Sequence, residues 1–174
     1  MPGETTSIYD SLGTCFQHPI GSTPITVIAA AHPTYVEASD YYTTVSGQAG
    51  WATAKANIKR GFDFVCGDTF CGSDYGDLQS LEVVCSVTKS TGNVKGCDWV
   101  FSGSYTDIAH SGALVPNIKS FKCPIAMHGS ISQLISVINA PPSAQNSSGF
   151  VEIIQRPLPG MTTSMYDALG GCLP

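Results

Sequence analysis

The residues of this chain best suited to covalent chemistry are its seven cysteines: Cys15, Cys66, Cys71, Cys85, Cys97, Cys123 and Cys172. Thiols at that density, among few Lys and Glu and many Ser, Thr and Gly, point to an oxidising compartment and a disulfide framework. The expected location is therefore extracellular or at the cell surface. Met1-Pro2-Gly3-Glu4 lacks the basic and apolar regions of a signal peptide, so the compartment is read from the cysteines alone. Their number is odd, and an odd cysteine in a secreted chain implies an intermolecular bond or a free thiol.

Two of the cysteines end a repeated phrase. Residues 2–15, PGETTSIYDSLGTC, return as residues 159–172, PGMTTSMYDALGGC, with ten of fourteen positions identical at a constant offset of 157. Self-similarity of this kind is weighed before any motif. Each copy reads as a short capped helix with Ile8, Tyr9 and Leu12, or Met165, Tyr166 and Leu169, at helical spacing. Such a helix is too short to stand alone and must dock. Five cysteines lie between the copies and one copy supplies a sixth, which completes three bridges; the second copy makes the set odd. If there is one docking place, the spare copy engages a neighbouring molecule. Otherwise both copies dock side by side, or the chain is one period of a longer tandem array. Ile8, Tyr9, Leu12, Cys15, Met165, Tyr166, Leu169 and Cys172 are the candidate assembly residues.

Other chemistry has thinner support. Asp68, Asp74 and Asp77, with Asp63 nearby, gather on a Gly-rich loop and form a calcium candidate through their carboxylate oxygens. They do not follow the EF-hand register, and Asp and Gly are ordinary turn formers. His18, His32, His110 and His128 show no metal-ligand spacing, and the first two precede prolines. No G-x-S-x-G, dinucleotide or P-loop signature occurs, so no catalytic residue, metal site or cofactor is assigned. Tyr35, Tyr41, Tyr42, Tyr75 and Tyr105 are candidates for stacking on a glycan. A net charge of −5 gives no field for nucleic acid, and no apolar run reaches the roughly 20 residues of a membrane span.

These residues need elements to position them. The 174 residues, 43% apolar and 12% charged, suffice for one domain spanning 1–174 with a single core. Ile25 to Ala31 reads as a buried strand between prolines. Trp51, Ala54, Ile58, Phe62 and Val65 mark one face of a long helix stopped at Gly67. Leu81, Val83, Cys85 and Val87 alternate, as do Cys97, Trp99 and Phe101, on either side of a turn at 90–93. Centring that hairpin on Thr91 pairs 87 with 95, 85 with 97, 83 with 99 and 81 with 101. Cys85 and Cys97 then face each other within disulfide reach. The pairing of the remaining cysteines stays open.

A third strand is expected over Asn117–Ile125, with Phe121, Cys123 and Ile125 facing inwards. Ser130 and Gln133 form a capping box for a helix that ends at Pro141-Pro142. Residues 143–149 read as a loop carrying the sequon Asn146-Ser147-Ser148, and Phe150–Gln155 as a last strand.

The predicted class is α+β: a curved antiparallel sheet packed on one long helix, disulfide-stabilised, with short docked terminal helices. That order of elements resembles the cystatins. The CGDTFC loop at 66–71 and the CSV…C-x-W-x-F hairpin resemble uncharacterised secreted bacterial proteins over Cys66–Ser104, which implies an extracellular location and no particular activity. The leading functional expectation is an extracellular assembly module whose partner is another copy of itself, joined head to tail as a filament. The alternatives are a secreted carbohydrate- or protein-binding module and, behind it, a small enzyme with a pocket inside the sheet.

Overall fold

The structure, a computed structural model, describes residues 34–66, 70–72, 75–144 and 146–173. In chain order these form β1 (Tyr35–Glu37), α1 (Ala38–Tyr41), α2 (Val45–Val65), β2 (Gln79–Thr88), β3 (Val94–Ile108), β4 (Leu114–Ile125), α3 (Ile131–Asn139), α4 (Ser147–Gln155) and α5 (Met165–Gly170). The strands make one antiparallel sheet in the order β1-β2-β3-β4. The fold is mixed α+β with three disulfides among the described residues. The expected strand at Ile25–Ala31, the first copy of the repeat and Gly67 lie outside those residues.

Helix α2 carries the predicted face. Trp51, Ala54, Ile58, Phe62 and Val65 are all buried. The helix begins earlier than that face, at Val45, because the Thr44 hydroxyl accepts the Gly47 N–H at 3.2 Å. Its aromatic end meets the sheet: the Phe62 ring lies 4.7 Å from Phe101 and 5.8 Å from Trp99. Burying rings of this size accounts for much of the stability of such a core.

The β2–β3 register matches the expected pairing of Cys85 with Cys97 and Val83 with Trp99, and departs from it at both ends. Ser80, not Leu81, pairs with Phe101, and Leu81 bulges outwards, 57% exposed. The cause is a hydrogen bond. Ser80 Oγ accepts the buried Trp99 indole N–H at 2.8 Å, so a polar residue is drawn in where the apolar one was expected. A second irregularity between Ser86 and Val87 pairs Val87 with Val94 rather than Lys95. Strand β4 places Phe121, Cys123 and Ile125 in the core as predicted. It is an edge strand, and Pro116, Lys119, Lys122 and Pro124 along it discourage further pairing.

The predicted capping box of α3 is present: Ser130 N donates to Gln133 Oε1 at 2.8 Å and Gln133 N to Ser130 Oγ at 3.2 Å. The stretch expected to be a last strand, Phe150–Gln155, is instead part of helix α4. Asn146 caps it, accepting the Gly149 N–H at 3.2 Å, and the adjacent Ile153 and Ile154 are both buried, which a half-exposed strand would not allow. Gly61 explains the docking. A side chain there would strike Ile154 and the Phe150 carbonyl, so its absence lets α4 lie close against α2.

Arg156, just after α4, ties this layer together. Its guanidinium donates to the carbonyls of Val137 and Ala140 at 2.8 Å and of Pro141 at 3.0 Å, and to Glu152 at 2.9 Å. It thus satisfies orphan carbonyls around the α3 terminus.

Candidate assembly site

In the second copy of the repeat covalent, polar and apolar contacts converge. It enters through a tight loop in which Leu158 N donates to Thr163 O, and Met161 N to Leu158 O, both at 2.9 Å. Pro157 bridges Ser164, and Leu158 is buried. Gly160 stands at φ +71°, and a side chain on it would meet the His128 carbonyl oxygen. His128 N in turn donates to Pro159 O at 2.9 Å. The Pro-Gly pair is therefore a backbone latch onto the segment that follows β4.

Helix α5 comes next. Ser164 N donates to Asp167 Oδ2 at 2.7 Å, and Asp167 N donates to Ser164 Oγ at 3.2 Å, a reciprocal capping box. The Ser164 backbone N–H, and then its hydroxyl, hold the Asp167 carboxyl below its ordinary value. Met165 and Leu169 are fully buried, Leu173 nearly so, and the Tyr166 ring lies 5.5 Å from Phe70. Each apolar side chain buried in this way is worth about 1.5–3 kcal/mol. Cys172 completes the segment with a disulfide to Cys123 of β4, Cα atoms 5.4 Å apart.

The other candidate residues fall into place around this. Cys66 pairs with Cys71 and Cys85 with Cys97. The three bridges use six of the seven cysteines. The seventh, Cys15, lies outside the described residues, as do Ile8, Tyr9 and Leu12, and no other cysteine of its own chain is left for it in this pattern. Met165, Tyr166, Leu169 and Cys172 are brought together as one docked surface. The sequence reading did not single out Leu158, Gly160, His128, Phe70 or Leu173. Of these, Gly160 carried a signal, since Pro-Gly recurs in both copies.

Of the calcium candidates, Asp68 and Asp74 lie outside the described residues. Asp77 accepts the Ser104 hydroxyl at 2.6 Å and the Ser104 N–H, bonds that lower its carboxyl from the ordinary value. Asp63 is exposed and pairs with Lys59 at 3.6 Å. Among the described residues, no group of three His, Cys, Asp or Glu is arranged to hold a metal ion. His110, in the turn between β3 and β4, and His128 are both exposed; His18 and His32 lie outside the described residues.

The tyrosines form pairs rather than a row. Tyr41 meets Tyr42 and Tyr75 meets Tyr105 edge to face, with centroids 5.1 and 5.2 Å apart, while Tyr35 is exposed on β1. The inner face of the sheet is filled by Trp51, Phe62, Trp99 and Phe101. Among the described residues no helix is long and apolar enough to cross a membrane. Comparison of the chain with protein-family models, with curated proteins and with solved structures finds no match.

Proposed function

We propose that this chain is an extracellular structural module that assembles head to tail, residues 2–15 of one copy acting as the donor for the groove that residues 159–172 fill. One observation carries the reading: most of the residues that the docked copy uses for contact recur in the first copy. Ser164, Tyr166, Asp167, Leu169 and Cys172 recur as Ser7, Tyr9, Asp10, Leu12 and Cys15, and Pro159-Gly160 as Pro2-Gly3.

Of the four differences, three fall at partly buried or exposed positions and the fourth, at buried Met165, keeps an apolar side chain. Met165 becomes the similarly sized Ile8. Ala168, only partly buried, becomes Ser11. Gly171, at φ −94° with open space around it, becomes Thr14. Met161, partly buried at the edge, becomes Glu4. A heterologous contact of this kind propagates unless it closes on itself.

Three disulfides and the absence of a membrane-spanning helix among the described residues are compatible with the extracellular setting. The same proposal extends to the fold: the long α2 followed by three antiparallel strands supports a cystatin-like arrangement. Light scattering and non-reducing gels on the chain lacking residues 1–15 test the assembly reading. The expected result is a fall to monomer; an unchanged mass and oligomer distribution would remove it.

A second reading, a glycan-binding module, draws on Tyr75 and Tyr105 with Lys119 Nζ 5.6 Å from the Tyr75 ring centre. Binding on a glycan array that is lost in Tyr75→Ala supports it, and a blank array counts against it.

A further inference from the structure

We infer that the Cys123 groove is an exchange site, accepting either copy of the repeat, with Cys15 replacing Cys172 on the Cys123 sulfur. The inference rests on the assembly reading and gives it a bond. The Cys15 thiolate attacks Sγ of Cys123, the Cys123–Cys172 bond breaks, and Cys172 leaves as a thiolate. One disulfide is consumed and one formed, so no oxidant or reductant enters.

Three features of the groove bear on this. Cys123 is fully buried and Cys172 only partly covered, so the Cys123 sulfur is reached only once residues 159–172 lift from it. The segment that must lift is short, α5 having six residues, but Met165, Leu169 and the capping box hold it down, so it opens only transiently. The incoming copy then restores what the outgoing one gave up. Ser7 and Asp10 match the capping box, Ile8 and Leu12 the buried pair, Gly3 the latch residue at positive φ, and Phe16 stands at the position of buried Leu173. Exchanging Met165 for Ile8, of similar volume, shifts such a balance by no more than about tenfold. The tethering of residues 159–172 to their own groove adds to it through effective concentration.

Full-length chain, isotope-labelled and unlabelled, is mixed in equal amounts at mildly alkaline pH, quenched with acid, alkylated, digested and weighed by mass spectrometry. The expected products are Cys123–Cys172 peptide as the major species and Cys15–Cys123 peptide as a minor one whose share rises with protein concentration. Leu12→Asp, which leaves residues 159–172 intact, is expected to lower the Cys15–Cys123 product at least about tenfold and to keep Cys123–Cys172. Finding Cys123 joined to Cys172 alone overturns the exchange, and so does a Cys15–Cys123 yield that Leu12→Asp leaves unchanged. Peptides that mix labelled and unlabelled halves place the bond between copies. If the halves always match, the exchange stands but occurs within one chain, and the head-to-tail reading falls. Oligomers that persist in Cys15→Ser, with no Cys15–Cys123 peptide in the parent, keep the assembly and sink the exchange.

Discussion

Cys172 is bonded to Cys123 across 49 residues of chain, the longest of the three disulfide spans, against 12 for Cys85–Cys97 and 5 for Cys66–Cys71. The bond fastens the segment after α5 to the edge strand and encloses α3, α4 and the latch. Chain entropy ranks the three. Replacing both cysteines of a pair with serine is expected to cost about 4 kcal/mol for Cys123–Cys172, about 3 for Cys85–Cys97 and about 2 for Cys66–Cys71. Urea unfolding of the three double variants gives the order directly; Cys66–Cys71 emerging as the costliest would contradict it.

Gly160 and Gly171 make a matched pair. At Gly160 both the positive φ and the His128 carbonyl oppose a side chain, so Gly160→Ala is expected to destabilise by about 1–3 kcal/mol. Gly171 has neither obstacle, and Gly171→Ala is expected within about 0.5 kcal/mol of the parent. Equal shifts of the two unfolding midpoints would mean that the latch is not rigid.

Glu152 sets an acid limit. Its carboxylate accepts the Ser143 hydroxyl and N–H and pairs with Arg156, which together lower its pKa from the ordinary 4.5 to about 2, the Ser143 hydroxyl foremost. A depressed carboxylate stabilises the fold fully above its unfolded pKa and loses that contribution as pH falls through the folded one. The stability difference between the parent and Glu152→Gln is therefore expected to be constant above about pH 5 and to shrink between 4.5 and about 2. A difference independent of pH over that window would show that the carboxylate charge plays no part.

The bulge in β2 reverses the importance of two neighbours. Ser80→Ala strands the buried Trp99 N–H and is expected to cost about 1–3 kcal/mol. Leu81→Ser, at an exposed bulge, is expected to change stability by less than about 0.5 kcal/mol. Denaturation midpoints in which Leu81 is the costlier of the two would restore the simple alternation.

What could be read from the chain beforehand follows range of interaction. The Trp51–Val65 face, the Cys85–Cys97 pairing and the Ser130–Gln133 capping box rest on neighbours a few residues apart or on one hairpin, and they are legible. The Ser80 bulge depends on the Trp99 indole across the hairpin, and no periodicity announces it. Helix α4 fails as a sequence reading because Phe150, Val151, Ile153 and Ile154 carry strand propensity, while the helix wins through Gly61 of α2, remote in sequence. The repeat was plain to see, but that its second copy ends on Cys123 could not be told from spacing.

Sedimentation velocity over a dilution series, comparing the full chain with Leu12→Asp, is the most direct measurement of the assembly. If residues 2–15 are the donor, the full chain sediments as species larger than monomer that grow with concentration, and Leu12→Asp stays monomeric with its own disulfides intact. A full chain that remains monomeric throughout, or a Leu12→Asp chain that assembles as the parent does, would contradict head-to-tail assembly through the repeat.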